Sequence, residues 1–156
     1  MRAMFDTNTY ALLYEYDLPR ILKLVESGQL VVYGCQVIRN ELRDIPKDVV
    51  VERKNYRIQL LFVYDKLVKD RSYPVERVVE VLANEYWSEY RGSIPKRKIL
   101  PDFKIVAVAS IHELDVIVSE DERTMKAGAA KRAYEIVNHR NAFRTPKFLS
   151  LHELRA

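Results

Sequence analysis

Four short apolar runs punctuate this chain, and between them the apolar residues switch to helical spacing. The runs are Ala3-Met4-Phe5, Leu30-Val31-Val32-Tyr33, Val116-Ile117-Val118 and Phe148-Leu149. Each is too short for a helix: the first two suit buried strands, the third a strand, and Phe148-Leu149 a last strand with a short tail behind it. A helix is expected after Asp17-Leu18-Pro19, with Asp17 as N-cap, Pro19 in the first turn and Gly28 at its end. Gly34 is expected to end the second strand. Val37, Ile38, Leu42 and Ile45 mark a helix that stops at Pro46. Two further stripes follow, Tyr56, Leu60, Val63 and Leu67, then Val78, Val79, Leu82 and Tyr86, separated at Tyr73-Pro74 and closed by Gly92. Pro101-Asp102 is expected to open a helix carrying Ile105, Val106, Val108, Ala109 and Ile111, and 127–137 another. Strands alternating with helices predict an α/β domain with a mostly parallel sheet covered on both faces. At 156 residues, with no repeat or linker, residues 1–156 read as a single domain.

Hydrophobic residues at 48% and charged residues at 31% describe a globule rather than a disordered chain. The net charge of +4 permits a polyanionic partner without requiring one. Cys35 is the only cysteine, so an intramolecular disulfide and a CxxC metal site are both excluded. No apolar run nears the roughly 20 residues of a membrane span, and the start MRAMFDTN lacks an apolar signal region. The chain therefore reads as cytoplasmic with no membrane partner. It has neither GxxxxGK[ST] nor GxGxxG, which argues against a nucleotide cofactor. His112, His139 and His152 are scattered, without metal-ligand spacing.

Chemistry enters with the acids. Asp6 follows the first apolar run and Asp121 follows the third, so both are expected at the carboxyl edge of a parallel sheet, where open α/β sheets keep their sites. Asp102 opens the segment PDFKIVAVAS, and Glu41 lies one turn from Val37 and Ile38, beside an apolar helix face. Carboxylates gathered in this way bind divalent metal. Two of them 4 Å apart repel by roughly 4 kcal/mol at an effective dielectric near 20, which a cation relieves. Taken singly, each acid has a plain structural reading: Asp6 a turn or cap, Asp102 a helix-start charge, Glu41 a solvated helical acid, and Asp121 one of three neighbouring acids. Lys96-Arg97-Lys98 is expected in an exposed loop before Asp102, either gripping phosphates or simply solvated.

With Asp6-Thr7-Asn8 after the first strand, Glu41 on the helix after the second, and PDFKIVAVASIHELDVIVSEDERT near the end, the chain resembles the PIN-domain ribonucleases. The resemblance runs in order over nearly the whole chain. It implies a three-layer α/β/α PIN-like fold with a four- to five-stranded, mostly parallel sheet. It also implies that Asp6, Glu41, Asp102 and Asp121 are the catalytic acids and hold Mg²⁺ or Mn²⁺, with Asn8 and Ser119 supporting them and Lys96, Arg97 and Lys98 binding RNA. The implied activity is metal-dependent endoribonuclease action on single-stranded or loop RNA. The implied setting is the toxin half of a type II toxin–antitoxin pair, with a cognate antitoxin and a homodimer. An RNA-processing nuclease without an antitoxin, and a silent RNA-binding module on the same fold, are the alternatives. The stretch between Glu41 and Asp102 is long for the compact toxins of that family. A haloacid-type phosphatase would want an Asp two residues after Asp6, where Asn8 stands.

Overall fold

A computed structural model describes residues 1–154. The chain runs β1 (Arg2–Phe5), α1 (Thr7–Leu12), a π-helical stretch (Leu13–Asp17), α2 (Leu18–Glu26), β2 (Val31–Cys35), α3 (Gln36–Arg43), β3 (Val50–Val51), β4 (Lys54–Asn55) and α4 (Tyr56–Val68). It continues with β5 (Ser72–Tyr73), α5 (Arg77–Glu89), α6 (Lys96–Ile111), β6 (Val116–Val118), α7 (Gly128–Arg140) and β7 (Lys147–Leu149). Five strands form one sheet in the order β5-β2-β1-β6-β7, every neighbouring pair parallel. Helices α1, α3 and α4 pack together, as do α5, α6 and α7, so the helices flank the sheet in two groups. Ala3, Met4 and Phe5 at its centre are fully buried, as are Ile117 and Val118 beside them, which is why these runs carry no polar alternation.

The strand order fixes where a site can form. From β1 the chain moves outward to β2 and β5 on one side, and from β6 it moves outward to β7 on the other. The direction reverses between β1 and β6, which is a topological switch point, and the carboxyl ends of these two strands border its crevice. Asp6 follows β1 directly, and Ser119 follows β6.

Five expectations are corrected. Gly34 does not end the second strand but lies within β2, pairing with Ser72. A side chain there would run into the Tyr64 ring, whose hydroxyl bonds the Cys35 carbonyl at 3.2 Å and Ser72 Oγ at 2.7 Å, so glycine lets α4 pack against the strand. At the expected Tyr73-Pro74 break, Ser72 and Tyr73 form an edge strand, β5, and a short antiparallel hairpin of β3 and β4 precedes α4. Lys96-Arg97-Lys98 is not loop: it forms the first turn of α6. Consequently Pro101-Asp102 does not open that helix but lies inside it, with Pro95 at the N-cap. Pro101 removes one helical donor, and the burial of Ile99, Phe103, Ile105, Val106 and their successors through Ser110 offsets that loss. Asp17 does precede α2, yet its carboxylate bonds the Arg20 guanidinium at 3.0 Å rather than capping the helix. Among the described residues no helix is long and apolar enough to cross a membrane.

Candidate functional site

Asp6 is the N-cap of α1, and its backbone leaves the sheet by donating to the Val118 carbonyl at 3.0 Å. Its carboxylate is 5% exposed and engaged at both oxygens. Oδ1 accepts from Thr9 N at 3.0 Å and Thr9 Oγ1 at 2.5 Å; Oδ2 accepts from Ser119 Oγ at 2.5 Å. The cap reading of Asp6 is thus real, but it uses only one of the two oxygens. Ser119 Oγ in turn accepts from the Asp121 backbone at 3.0 Å, so one serine joins the ends of β1 and β6.

Asp121 organises the turn beyond β6. Its Oδ1 accepts from the backbones of Arg123 at 3.1 Å and Thr124 at 3.0 Å. The Thr124 hydroxyl lies between Asp121 Oδ2 and Asp102 Oδ2, the latter at 2.8 Å. Hydroxyls therefore tie three of the four acid residues together, the Asp6 carboxylate to the Asp121 backbone through Ser119 and the Asp121 carboxylate to that of Asp102 through Thr124. Lys126 closes the turn from beneath. Only 8% exposed, it donates from Nζ to the Ser119 carbonyl at 3.1 Å and pairs with Glu122 at 2.7 Å.

Glu41 lies half-buried on α3, beside buried Ile38 and Leu42, as its spacing predicts. Its Oε1 is buried without a hydrogen-bond partner, and so is Thr7 Oγ1 on α1. Burial pushes Glu41 up to about 7; the nearby Thr7 hydroxyl opposes this without reaching hydrogen-bond geometry, and the charges of Asp6 and Asp44 add to it. Burial likewise pushes Asp102 up to about 7, against the Thr124 hydrogen bond and with the charges of Asp121, Glu41 and Asp6. Asp6 is raised by burial despite the Ser119 and Thr9 hydrogen bonds. The four acids thus lie near enough to sense one another's charge. Among the described residues, however, no three His, Cys, Asp or Glu side chains stand in a ready metal-binding group.

The other expected residues divide. Asn8 is exposed on α1. Lys96, Arg97 and Lys98 are exposed on α6, where three cations meet the positive end of a helix dipole with no acid in the first turn. Cys35 is buried, and burial pushes its thiol up to about 12, far from a nucleophile. His112 stacks on Tyr73 with ring centres 3.6 Å apart. A cavity of about 680 Å³ near the chain's end, lined by Tyr16, Asp17, Arg20, Glu120, Leu151 and His152, holds none of the four acids. A smaller one of about 360 Å³ is lined by Glu41 together with Asn40, Asp44, Pro101 and Lys104. Sequence reasoning missed Thr9 and Thr124. Both follow an acid by three residues, Asp6-x-x-Thr9 and Asp121-x-x-Thr124, a spacing at which a carboxylate meets the backbone and hydroxyl of one turn.

In sequence the chain matches no family model and no curated protein. In structure it is similar to a chain of VapBC2 from Rickettsia felis bound to a DNA fragment from its promoter, with a TM-score of 0.58 and 9% identity over 96% of this chain and 98% of that one. It is also similar to a chain of FitAB bound to the IR36 DNA fragment, with a TM-score of 0.59 and 15% identity over 99% and 98%. FitAcB from Neisseria gonorrhoeae gives a TM-score of 0.59 and 16% identity over 97% and 99%. The fold is PIN-like. At these identities the likeness is one of fold, and it extends over the whole length of the neighbours, so the PIN-like domain here includes the long helical segment of α4 and α5.

Proposed function

We propose that this PIN-like domain is a metal-dependent endoribonuclease acting on single-stranded or loop RNA, and the toxin member of a toxin–antitoxin pair. The observation supporting the chemistry is the hydroxyl-linked set of acids at the switch point: Asp6, Ser119, Asp121, Thr124 and Asp102, with Glu41 facing it from α3. Support for the toxin reading comes from the neighbours, which are toxin–antitoxin complexes. Two of them hold DNA, so the pair proposed here would include a DNA-binding antitoxin partner.

The residues fit Mg²⁺ or Mn²⁺ in their chemistry. All donors are hard carboxylate oxygens, the acids raise one another's pKa, and Glu41 Oε1 is buried with nothing to bind. Such an ion, when bound, activates water and neutralises charge on a phosphodiester. The chain's own part is to hold the acids. Asp6, Asp102, Asp121 and Glu41 would bind the ion. Ser119 and Thr9 orient Asp6; Thr124 orients Asp102 and Asp121; Lys126 fixes the turn on which Ser119 and Asp121 sit. One of these acids would also accept the proton of the attacking water. The exposed cations of α6 would meet the RNA backbone.

The test is cleavage of a labelled single-stranded RNA by purified protein with Mn²⁺ and with chelator. Wild type should cut only with the metal, and Asp6→Asn should lose at least about a hundredfold in rate while keeping its circular dichroism, since removing a well-placed charge stabiliser typically costs 10²–10³. Undiminished Mn²⁺-dependent cutting by Asp6→Asn would remove the role given to Asp6. Binding of RNA by wild type without any cutting would leave a silent binding module.

A further inference from the structure

Asp121 stands between two other acids, and each of the three has a different partner. Glu122 pairs with Lys126 at 2.7 Å. Glu120 is exposed, yet it reaches the end of the chain, where its Oε1 accepts from the Leu151 backbone at 2.6 Å. Of the three, only Asp121 turns back to the site, sharing the Thr124 hydroxyl with Asp102. The Glu120 bond prolongs the sheet past its last strands. β6 ends at Val118 and β7 at Leu149. Beyond them the Ser119 backbone donates to the Leu149 carbonyl at 2.9 Å, and Glu120 takes the donor two residues further along the tail.

We infer that Glu120 and Arg20 are positioning residues for the site: residues 150–154 form a strap against the turn beyond β6, and Glu120, bonded to that strap, sets where Asp121 presents its carboxylate. The inference rests on the nuclease reading above and concerns what holds one of its acids in place.

The strap is itself anchored. Leu151 is 7% exposed and Leu154 is fully buried, so apolar side chains pin it at two points. Arg20, in the first turn of α2, donates to the Leu151 carbonyl at 2.9 Å and to that of Leu154 at 2.6 Å. Its Nε is held by Asp17 at 3.0 Å. A planar guanidinium makes these bonds together because its donors form a fixed fork. Between the two leucines, Ser150 Oγ donates to Glu153 Oε1 at 2.6 Å and closes the turn. The Ser150 hydrogen bonds hold the Glu153 carboxyl below its ordinary value, and the charges of His152 and Lys126 add to this, so Lys126 stands near the strap as well as under the turn. The connection from α2 to the site is continuous: Asp17 to Arg20, Arg20 to the strap, the Leu151 N–H to Glu120, and Glu120 to Asp121 by one peptide bond. Ser119 ties the same turn to Asp6 from the inner side. A turn held from both sides offers its carboxylate in one place, and groups that fix a metal ligand from behind govern metal affinity.

The experiment compares the full chain with Glu120→Ala, Glu120→Gln and Arg20→Lys. Amide hydrogen exchange is read without metal, and Mn²⁺ affinity from the paramagnetic resonance of the free ion. The amides of Asp121, Arg123, Thr124 and Lys126 are all hydrogen-bonded within the turn and report its opening. In Glu120→Ala they should exchange about tenfold faster, the equivalent of one charge-assisted hydrogen bond, while β1 and β2 keep their wild-type rates. Mn²⁺ should bind about tenfold more weakly. Glu120→Gln keeps an acceptor, though a neutral and weaker one, and should restore both values to within about threefold of wild type. Arg20→Lys keeps the charge beside Asp17 but loses the fork, and should shift both values in the direction of Glu120→Ala. Wild-type exchange in Glu120→Ala would overturn the inference, and so would faster exchange with unchanged Mn²⁺ affinity. An equal loss of Mn²⁺ in Glu120→Gln and Glu120→Ala, with wild-type exchange in both, would make Glu120 a direct ligand and overturn its positioning role. The nuclease reading fails separately: a wild type that neither binds Mn²⁺ nor cuts RNA overturns that reading, and the metal-free exchange rates still decide whether the strap holds the turn.

Discussion

Asp102 and Glu41 are acids that the fold works against. Burial lifts Asp102 from 3.8 to about 7 and Glu41 from 4.5 to about 7. A carboxyl whose pKa is higher folded than unfolded contributes stability that is full below its unfolded pKa, near 4, and lost as the pH rises to about 7. Through these two groups, the metal-free protein should melt at a higher temperature at pH 5 than at pH 7.5. Mn²⁺ competes with those protons, so its stabilising shift should be larger at pH 7.5. Scanning fluorimetry at both pH values with chelator and with Mn²⁺ checks this, and an equal Mn²⁺ shift at both would remove Asp102 and Glu41 from the binding set. Thr124 tests the bridge between acids. Its one hydroxyl proton serves both Asp102 and Asp121. Thr124→Val keeps the shape and leaves the two carboxylates without their donor. The loss expected in urea unfolding at pH 7.5 is about 1–3 kcal/mol without metal, the cost of stranding partly buried acceptors, and it should shrink with saturating Mn²⁺. An unchanged midpoint without metal would mean that the hydroxyl does not hold the acids.

At the scale of elements, α6 carries the largest difference between expectation and structure. Pro101 before Asp102 reads as a helix start, and the cations before it as loop, because a proline is locally unfavourable inside a helix. Packing decided otherwise: Ile99 and Phe103 bury themselves on either side of Pro101 and hold the helix through it. The consequence is a helix beginning with Lys96, Arg97 and Lys98, which the dipole disfavours. Replacing all three with alanine should therefore stabilise the metal-free protein, by about 0.3–1 kcal/mol per charge at low salt, while weakening RNA binding and flattening its salt dependence. Urea unfolding and a salt series of RNA affinities on an Asp6→Asn background measure the two effects. Identical salt slopes for parent and triple variant would make these cations an ordinary solvated turn.

At the scale of the molecule, Ile58 and Phe62 on α4 are 56% and 63% exposed, one turn apart on a helix whose other side is core. We expect a homodimer that uses this face, and Phe62→Asp should shift light scattering from dimer to monomer with the circular dichroism preserved. A wild-type monomer at tens of micromolar would leave the face to another partner.

What the sequence determined by itself were the features set by local pattern. The apolar runs became β1, β2, β6 and β7; β1 and β6, at the centre of the sheet, are almost wholly apolar because a strand buried on both faces needs nothing but apolar side chains, whereas β7 at the edge is only half-buried. Asp6 stood out because an acid that ends such a run has no place in the core; helical spacing put Glu41 beside an apolar face, a position a solvated acid also takes, and Asp121 was picked out from Glu120 and Glu122 by the family resemblance rather than by spacing. Tertiary structure alone decided which groups meet. Ser119 and Asp6 are 113 residues apart, Thr124 and Asp102 are 22 apart, and the edge strand β5 exists only because β2 offers it a partner. Buried Lys126 reads as a surface cation until the turn beyond β6 folds over it. Local spacing records the periodicity of one element, whereas these contacts depend on the order of strands across the sheet, and that order sets which chain ends share a crevice.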